Sequence, residues 1–293
     1  MTYFGFLAIF LGIPIAILSL ITIIDYRRGK WMPQALHQFK PWMVMLGLCI
    51  VAFIYTTPWD NYLVATNVWW YDINLVNGLV IGWVPIEEYT FFLVQPVMTA
   101  LLFLLIARYL PINPKKADSP RTRIIATAIA GIIWLIFTVL LILTFINDSF
   151  RPFTYLSLEL SWALIPIIIQ FAFGADILGR HRNAIILTIM ISTLYLSYAD
   201  SLAIGSGTWT IDPEQSLEGL LIGGILPIEE FVFFLITNVL VTLGMTLVLA
   251  EESLPRAIQL EKYPVIGSLL RSIRHAGAIT DHTTNQKLAE QSS

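Results

Sequence analysis

Apolar residues fill the chain in seven long runs separated by short polar turns, near residues 3–24, 42–59, 76–107, 124–146, 157–177, 184–200 and 217–250. A helix needs about 20 predominantly apolar residues to cross a bilayer, so the pattern predicts seven membrane-spanning helices. The second and sixth runs are short and the third and seventh long, a pairing that points to duplication. The fold class expected is all-α integral membrane, built from two parallel three-helix repeats and a connecting helix. The boundaries expected are residues 1–110 for the first repeat, 111–150 for the connecting helix, 151–252 for the second repeat and 253–293 for a cytoplasmic tail.

The polar positions orient these spans. Sixteen of the 17 Lys and Arg residues fall in turns on one side, and Arg151 is the exception. By the positive-inside rule the N-terminus is expected outside and the C-terminus in the cytoplasm, in a cell inner membrane. The opposite loops, 60–75 and 200–216, hold Asp60, Asp72, Asp200, Asp212 and Glu214 and no Lys or Arg. Asp60, Trp69 and Asp72 match Asp200, Trp209 and Asp212 at an offset of 140. An odd repeat unit plus one connecting span gives both copies the same orientation, with a pseudo-two-fold axis along the membrane normal. In the tail, Val265, Ile266, Leu269, Leu270 and Ile273 share a helical face near Arg271 and Arg274, which suits a surface helix as well as it suits a disordered tail. Residues 276–293 are polar and expected to be disordered.

Composition agrees: 57% of residues are hydrophobic and 13% charged, against about 25% charged in soluble domains. The single cysteine, Cys49, excludes an intramolecular disulfide and a cysteine metal site. The first run is too long for the apolar core of a signal peptide and has no basic residues before it, so it is expected to stay as a span.

One motif occurs twice inside these apolar runs. Pro85-Ile86-Glu87-Glu88 precedes Phe91-Phe92, and Pro227-Ile228-Glu229-Glu230 precedes Phe233-Phe234, at an offset of 142. The change from 140 implies a two-residue insertion between loop and motif. Ionisable groups inside a membrane are costly and by default suggest a functional site. The prolines are expected to bend each helix where the acids begin. Glu87 then lies over Phe91 at i+4, and Glu88 over Phe91 and Phe92. Counting from the basic end at 1.5 Å per residue puts Glu87 and Glu229 roughly 32 Å away, near the outer boundary of a core about 30 Å thick.

Among neighbouring buried carboxyls one can keep its proton and serve as acid while another is ionised and serves as base. Aromatic faces can stabilise a developing cation. The motif therefore suits protonation of an apolar molecule and guidance of the resulting carbocation. A lone intramembrane glutamate can also be a simple interhelical bond, but two identical pairs at one depth weigh against that. Asp60 and Asp200 end the short helices and are candidates for the substrate site, although caps and solvated faces account for many such acids. Trp69, Trp70 and Trp209 are expected as interfacial belt residues.

The doubled Pro-Ile-Glu-Glu with following Phe-Phe, in a chain of seven spans, resembles the membrane-integral lycopene cyclase domain family over about residues 1–250. The resemblance implies redox-neutral isomerisation of lycopene to β-carotene, as a lycopene beta-cyclase. Glu87, Glu88, Glu229 and Glu230 match the motif and inherit the acid/base role as a group. Pro85, Phe91, Phe92, Pro227, Phe233, Phe234, Asp60 and Asp200 are the expected substrate-binding residues. No cofactor and no metal is implied. The expected partners are lycopene or a related carotenoid, the lipid bilayer and other membrane enzymes of carotenoid biosynthesis, with no nucleic acid. A proton-coupled transporter is the rival from another class, since it too keeps acids in a repeat protein. A retinal photoreceptor needs a Schiff-base lysine that residues 217–250 lack. A metalloprotease needs membrane histidines, whereas His37, His181, His275 and His282 all fall in loops or the tail. A prenyltransferase would want paired aspartates for Mg²⁺, which the separated Asp60 and Asp72 do not supply.

Overall fold

A computed structural model describes residues 1–112 and 118–260. The expected tail helix and the polar stretch 276–293 lie outside the described residues, as do Lys115, Lys116 and the basic residues after Arg256.

Among the described residues, seven helices long and apolar enough to cross a membrane run in order. They are α1 (Tyr3–Arg27), α2 (Pro41–Ala65), α3 (Ile86–Tyr109), α4 (Pro120–Ile146), α5 (Thr154–Arg180), α6 (Arg182–Gly205) and α7 (Ile228–Leu249), and a short α8 (Ser253–Leu260) follows. The chain is an all-α integral membrane protein. Within α1, residues Ala8–Gly12 form a widened π turn just before Pro14, which has no N–H to continue the helical ladder. α3 and α7 are the most buried spans and form the centre, while α4 lies at the periphery against α5. α5 is kinked at Gly174, where a Cβ would stand 2.5 Å from Leu247 Cδ2 of α7. Glycine is what permits that approach.

The third and seventh runs are not the long helices expected over 76–107 and 217–250. Each begins as a β-hairpin, β2 (Val80–Ile81) with β3 (Val84–Pro85) and β5 (Leu221–Ile222) with β6 (Leu226–Pro227), and the helix starts only after the proline. Gly82, Gly223 and Gly224 have positive φ, which glycine adopts at little cost in tight turns. Pro85 and Pro227 stand at the N-cap with extended backbone, so they start their helices and do not bend them. The two-residue insertion is divided: the offset is 141 from β2 to β5 and 142 from β3 to β6, so one extra residue precedes the hairpin and one lies in its turn. The second run is also longer than expected, since α2 continues through Pro58 to Ala65.

A third strand pair joins distant parts of the chain. β1 (Trp69–Tyr71) runs antiparallel to β4 (Trp209–Ile211), with Trp70 opposite Thr210, its own counterpart at the offset of 140. At the other end, Arg108 Nε lies 3.3 Å from Asp25, both nearly fully buried. Arg256 donates to both oxygens of Asp176 at 2.7 and 2.9 Å, fastening α8 to α5.

Candidate active site

The acids of the doubled motif sit in the first turns of α3 and α7. Four backbone N–H groups at a helix start have no intrahelical acceptor, and the helix dipole favours negative charge there. That local rule alone would accommodate glutamates at these positions, so their function has to be judged from where each side chain points.

The first glutamate of each pair turns toward its own loop. Glu87 Oε1 accepts the Asn77 N–H at 2.7 Å and Glu229 Oε1 accepts the Leu217 N–H at 2.7 Å, while Oε2 of each is buried without a hydrogen-bond partner among the described residues. Asn77 and Leu217 stand at the offset of 140. The second glutamate of each pair turns inward. Tyr3 and Tyr71 both donate to Glu88 Oε2, Tyr71 from 3.0 Å. Tyr155 donates to Glu230 Oε1 at 2.8 Å. Tyr3 and Tyr155 are held alike, their backbone N–H groups donating to Leu75 and Gln215 carbonyls at 2.8 and 2.9 Å.

Glu88 and Glu230 line one narrow cavity of about 40 Å³, shared with Asp200, Trp69, Trp209 and the phenols. Phe91, Phe233 and Phe234 supply its floor, with ring centroids 5.4–6.4 Å apart. Trp209 packs on Tyr3 at 4.9 Å and on Phe6 at 5.1 Å, and its indole donates to Asp200 Oδ1 at 3.0 Å. The equivalent indole, Trp69, donates instead to the Tyr71 hydroxyl at 3.1 Å. Burial, then the charge of Glu88, pushes the Tyr71 phenol well above its usual range, so it keeps its proton.

Of the expected site residues, Glu88, Glu230, Phe91, Phe233, Phe234 and Asp200 thus line one cavity. Glu87, Glu229, Pro85, Pro227, Phe92 and Asp60 are buried close by but are not among its lining residues. Trp69 and Trp209, expected as belt residues, line it, and only Trp70 is turned out. Tyr3, Tyr71 and Tyr155 escaped the sequence reading, although a Tyr opens the first helix of each half. Glu159, one turn beyond Tyr155, also escaped it. It is fully buried, and among the described residues neither of its oxygens has a hydrogen-bond partner.

Fold and site together define an integral membrane protein that holds carboxyl groups, bonded by phenols and an indole, over an aromatic cavity. Comparison with known proteins narrows this. The chain is 34% identical over 248 residues to the lycopene beta-cyclase of Halobacterium salinarum (strain ATCC 29341 / DSM 671 / R1), covering 84% of this chain and 95% of that protein. It is 34% identical over 236 residues to the bifunctional lycopene cyclase/phytoene synthase of Podospora anserina, covering 80% of this chain and 38% of the fungal protein. The bifunctional lycopene cyclase/phytoene synthase of Phaffia rhodozyma is 33% identical over 214 residues, 68% of this chain and 31% of its own. The chain belongs to the lycopene beta-cyclase family. No protein-family model and no solved structure matches it.

Proposed function

We propose that the protein cyclises the ψ-end groups of lycopene to β-ionone rings, an acid-catalysed isomerisation in carotenoid biosynthesis, with Glu88 and Glu230 as the acid-base carboxyls of one cavity. The observation that carries this reading is that these two glutamates, alone among the four of the doubled motif, face the same aromatic space.

The reaction needs one proton given and one taken. A carboxyl O–H protonates the terminal double bond, whose electrons form the new C–H bond and leave a tertiary cation. The neighbouring double bond closes the ring onto that cation and moves the charge to a ring carbon. Loss of an adjacent ring proton to a carboxylate returns the electron pair as the ring double bond. Phe91, Phe233 and Phe234 offer π faces to the cation, and a cavity with little polar surface beyond the carboxyls and phenols keeps water from trapping it. Cyclase relatives favour this enzyme reading over the proton-coupled transporter.

Glu87 and Glu229 on this reading position the loops that roof the cavity and stand outside the chemistry. Residues 1–110 and 151–252 form two like-oriented repeats linked by α4, a reading supported by the register of β1 on β4, which maps onto itself when the halves are exchanged. The roofed end faces outside and the Arg108 end the cytoplasm of an inner-membrane protein, as the distribution of Lys and Arg supports. Other membrane enzymes of the pathway are its proposed neighbours.

The test is expression in a bacterial host that accumulates lycopene, with pigments separated by chromatography. β-Carotene or a monocyclic product is expected from the wild type, and Glu88→Gln and Glu230→Gln are each expected to lower it by roughly 10²–10⁴-fold. Unchanged lycopene beside well-inserted wild-type protein would reject lycopene as substrate.

A further inference from the structure

The two glutamates of the cavity are not equivalent, and the difference lies in their hydrogen-bond donors. Carboxyl neighbours do not separate them: beyond its partner in the pair, Glu88 has Asp60 and Asp200, and Glu230 has Asp200 and Glu159. Phenols do separate them. Glu88 Oε2 receives two hydroxyls, from Tyr3 and Tyr71, whereas Glu230 receives one, from Tyr155. The counterpart of Tyr71 at the offset of 140 is Ile211, which lines the same cavity and has no hydroxyl.

Direction is also determined on the Glu88 side. An indole N–H can only donate, so Trp69 Nε1 occupies a lone pair of the Tyr71 oxygen and leaves the Tyr71 proton for Glu88. On the other side Trp209 gives its N–H to Asp200, and among the described residues Glu230 has no second side-chain donor. Donors that converge on a carboxylate favour its ionised form. Two such donors, one of them oriented by Trp69, make Glu88 the better-held carboxylate of the pair.

We propose that Tyr71, aligned by Trp69, is a positioning residue that makes Glu88 the base and leaves Glu230 as the acid, and thereby determines which ring is formed. The inference rests on the cyclase reading above. Glu230 O–H breaks and its proton forms the new C–H bond at the end of the substrate. The ring closes, and the Glu88 carboxylate takes the proton from the ring carbon that carries the polyene, whose C–H electrons become the β-ring double bond. After product leaves, the proton held on Glu88 passes to Glu230, which restores the Glu88 carboxylate and the Glu230 acid, so the cycle balances. If Glu88 is misplaced, the same cation loses a proton from the ring CH₂ on its other side, giving an ε ring, or from the methyl, giving a γ ring.

The experiment compares Tyr71→Phe, Trp69→Phe, Tyr155→Phe, Glu88→Gln and Glu230→Gln in the lycopene-accumulating host, normalised to membrane-inserted protein, with ring types resolved. Tyr71→Phe is expected to lower total cyclisation roughly ten-fold and to divert a measurable share of rings from β to γ and ε. Trp69→Phe, which keeps a ring but loses the N–H, is expected to give the same diversion. Residual product of Glu88→Gln should be mixed in ring type, and any residual product of Glu230→Gln should carry β rings alone. Tyr155→Phe should slow turnover and leave the ring type as β. If Tyr71→Phe and Trp69→Phe lose activity yet form β rings alone, their role is structural and the proposal is overturned. Mixed rings from Glu230→Gln with none from Glu88→Gln would overturn it by reversing the roles. A wild type that forms no ring rejects the cyclase reading itself, an outcome distinct from both.

Discussion

At the start of α3 and of α7 two consecutive glutamates leave the helix on different headings, since successive side chains of an α-helix are about 100° apart. Glu87 and Glu229 meet loop amides, and Glu88 and Glu230 meet phenols over the cavity. The division predicts different losses on substitution. Glu229→Ala leaves the Leu217 N–H without its acceptor, which should cost about 1–3 kcal/mol and lower the unfolding temperature of the detergent-solubilised protein. Glu230→Gln keeps a side chain able to bond Tyr155 and should unfold near the wild-type temperature while losing cyclisation. An unchanged unfolding temperature in Glu229→Ala, with activity lost as completely as in Glu230→Gln, would place both members of the pair in the chemistry.

At the scale of elements, the hairpins before α3 and α7 set where the acids stand. Gly82, at φ +68°, turns β2 into β3, and a Cβ there would lie 2.2 Å from Asn61 Oδ1, the atom that accepts the Trp83 N–H at 2.8 Å. Gly82→Ala should therefore lose roughly 1–2 kcal/mol for the left-handed backbone and also displace Asn61, which donates to the Tyr89 hydroxyl at 2.9 Å. Thermal unfolding together with pigment yield checks this: both should fall, whereas Gly131→Ala, on peripheral α4 with open space around its Cβ, should lower neither. These hairpins also show what sequence could and could not reveal. Seven apolar runs and the doubled motif were legible because burial in lipid demands length and forbids stray charge. Strands of two residues in the same apolar run were not, since Val80, Ile81, Leu221 and Ile222 fit a helix as well as a hairpin by hydropathy alone. For the same reason Pro85 and Pro227 read as bends inside a helix when they are its first boundary. The phenols were hidden differently: Tyr3 and Tyr155 lie 85 and 75 residues from the carboxyls they bond, a separation that only the packed fold closes.

Over the whole molecule, each half supplies what the other lacks. Tyr3, Tyr71 and Glu88 come from α3 or from residues before it, and Tyr155, Asp200, Trp209 and Glu230 from residues after α4, yet all line one cavity. Several sets of bonds hold the halves in register, including these. β1 pairs with β4; Thr99 and Gln95 of α3 donate to Asn238 Oδ1 of α7 at 2.6 and 2.9 Å; and Gln38 and Glu251 N–H groups donate to the Leu249 and Ala35 carbonyls, both at 3.0 Å, at the opposite end. Buried polar side chains that bond across helices hold membrane bundles together, so the interface should re-form from separate pieces. Cutting the chain between residues 112 and 118 leaves α4 with its partner α5 and separates Glu88 from Glu230. Neither piece expressed alone should cyclise lycopene, because each retains one of the two carboxyls and part of the phenol set. The two pieces expressed together should associate in the membrane and recover cyclisation to within about ten-fold of the intact chain, the equivalent of roughly 1.4 kcal/mol for lost tethering. Ring formation by one piece on its own would show that each half carries a complete site, and the shared cavity would have to be given up.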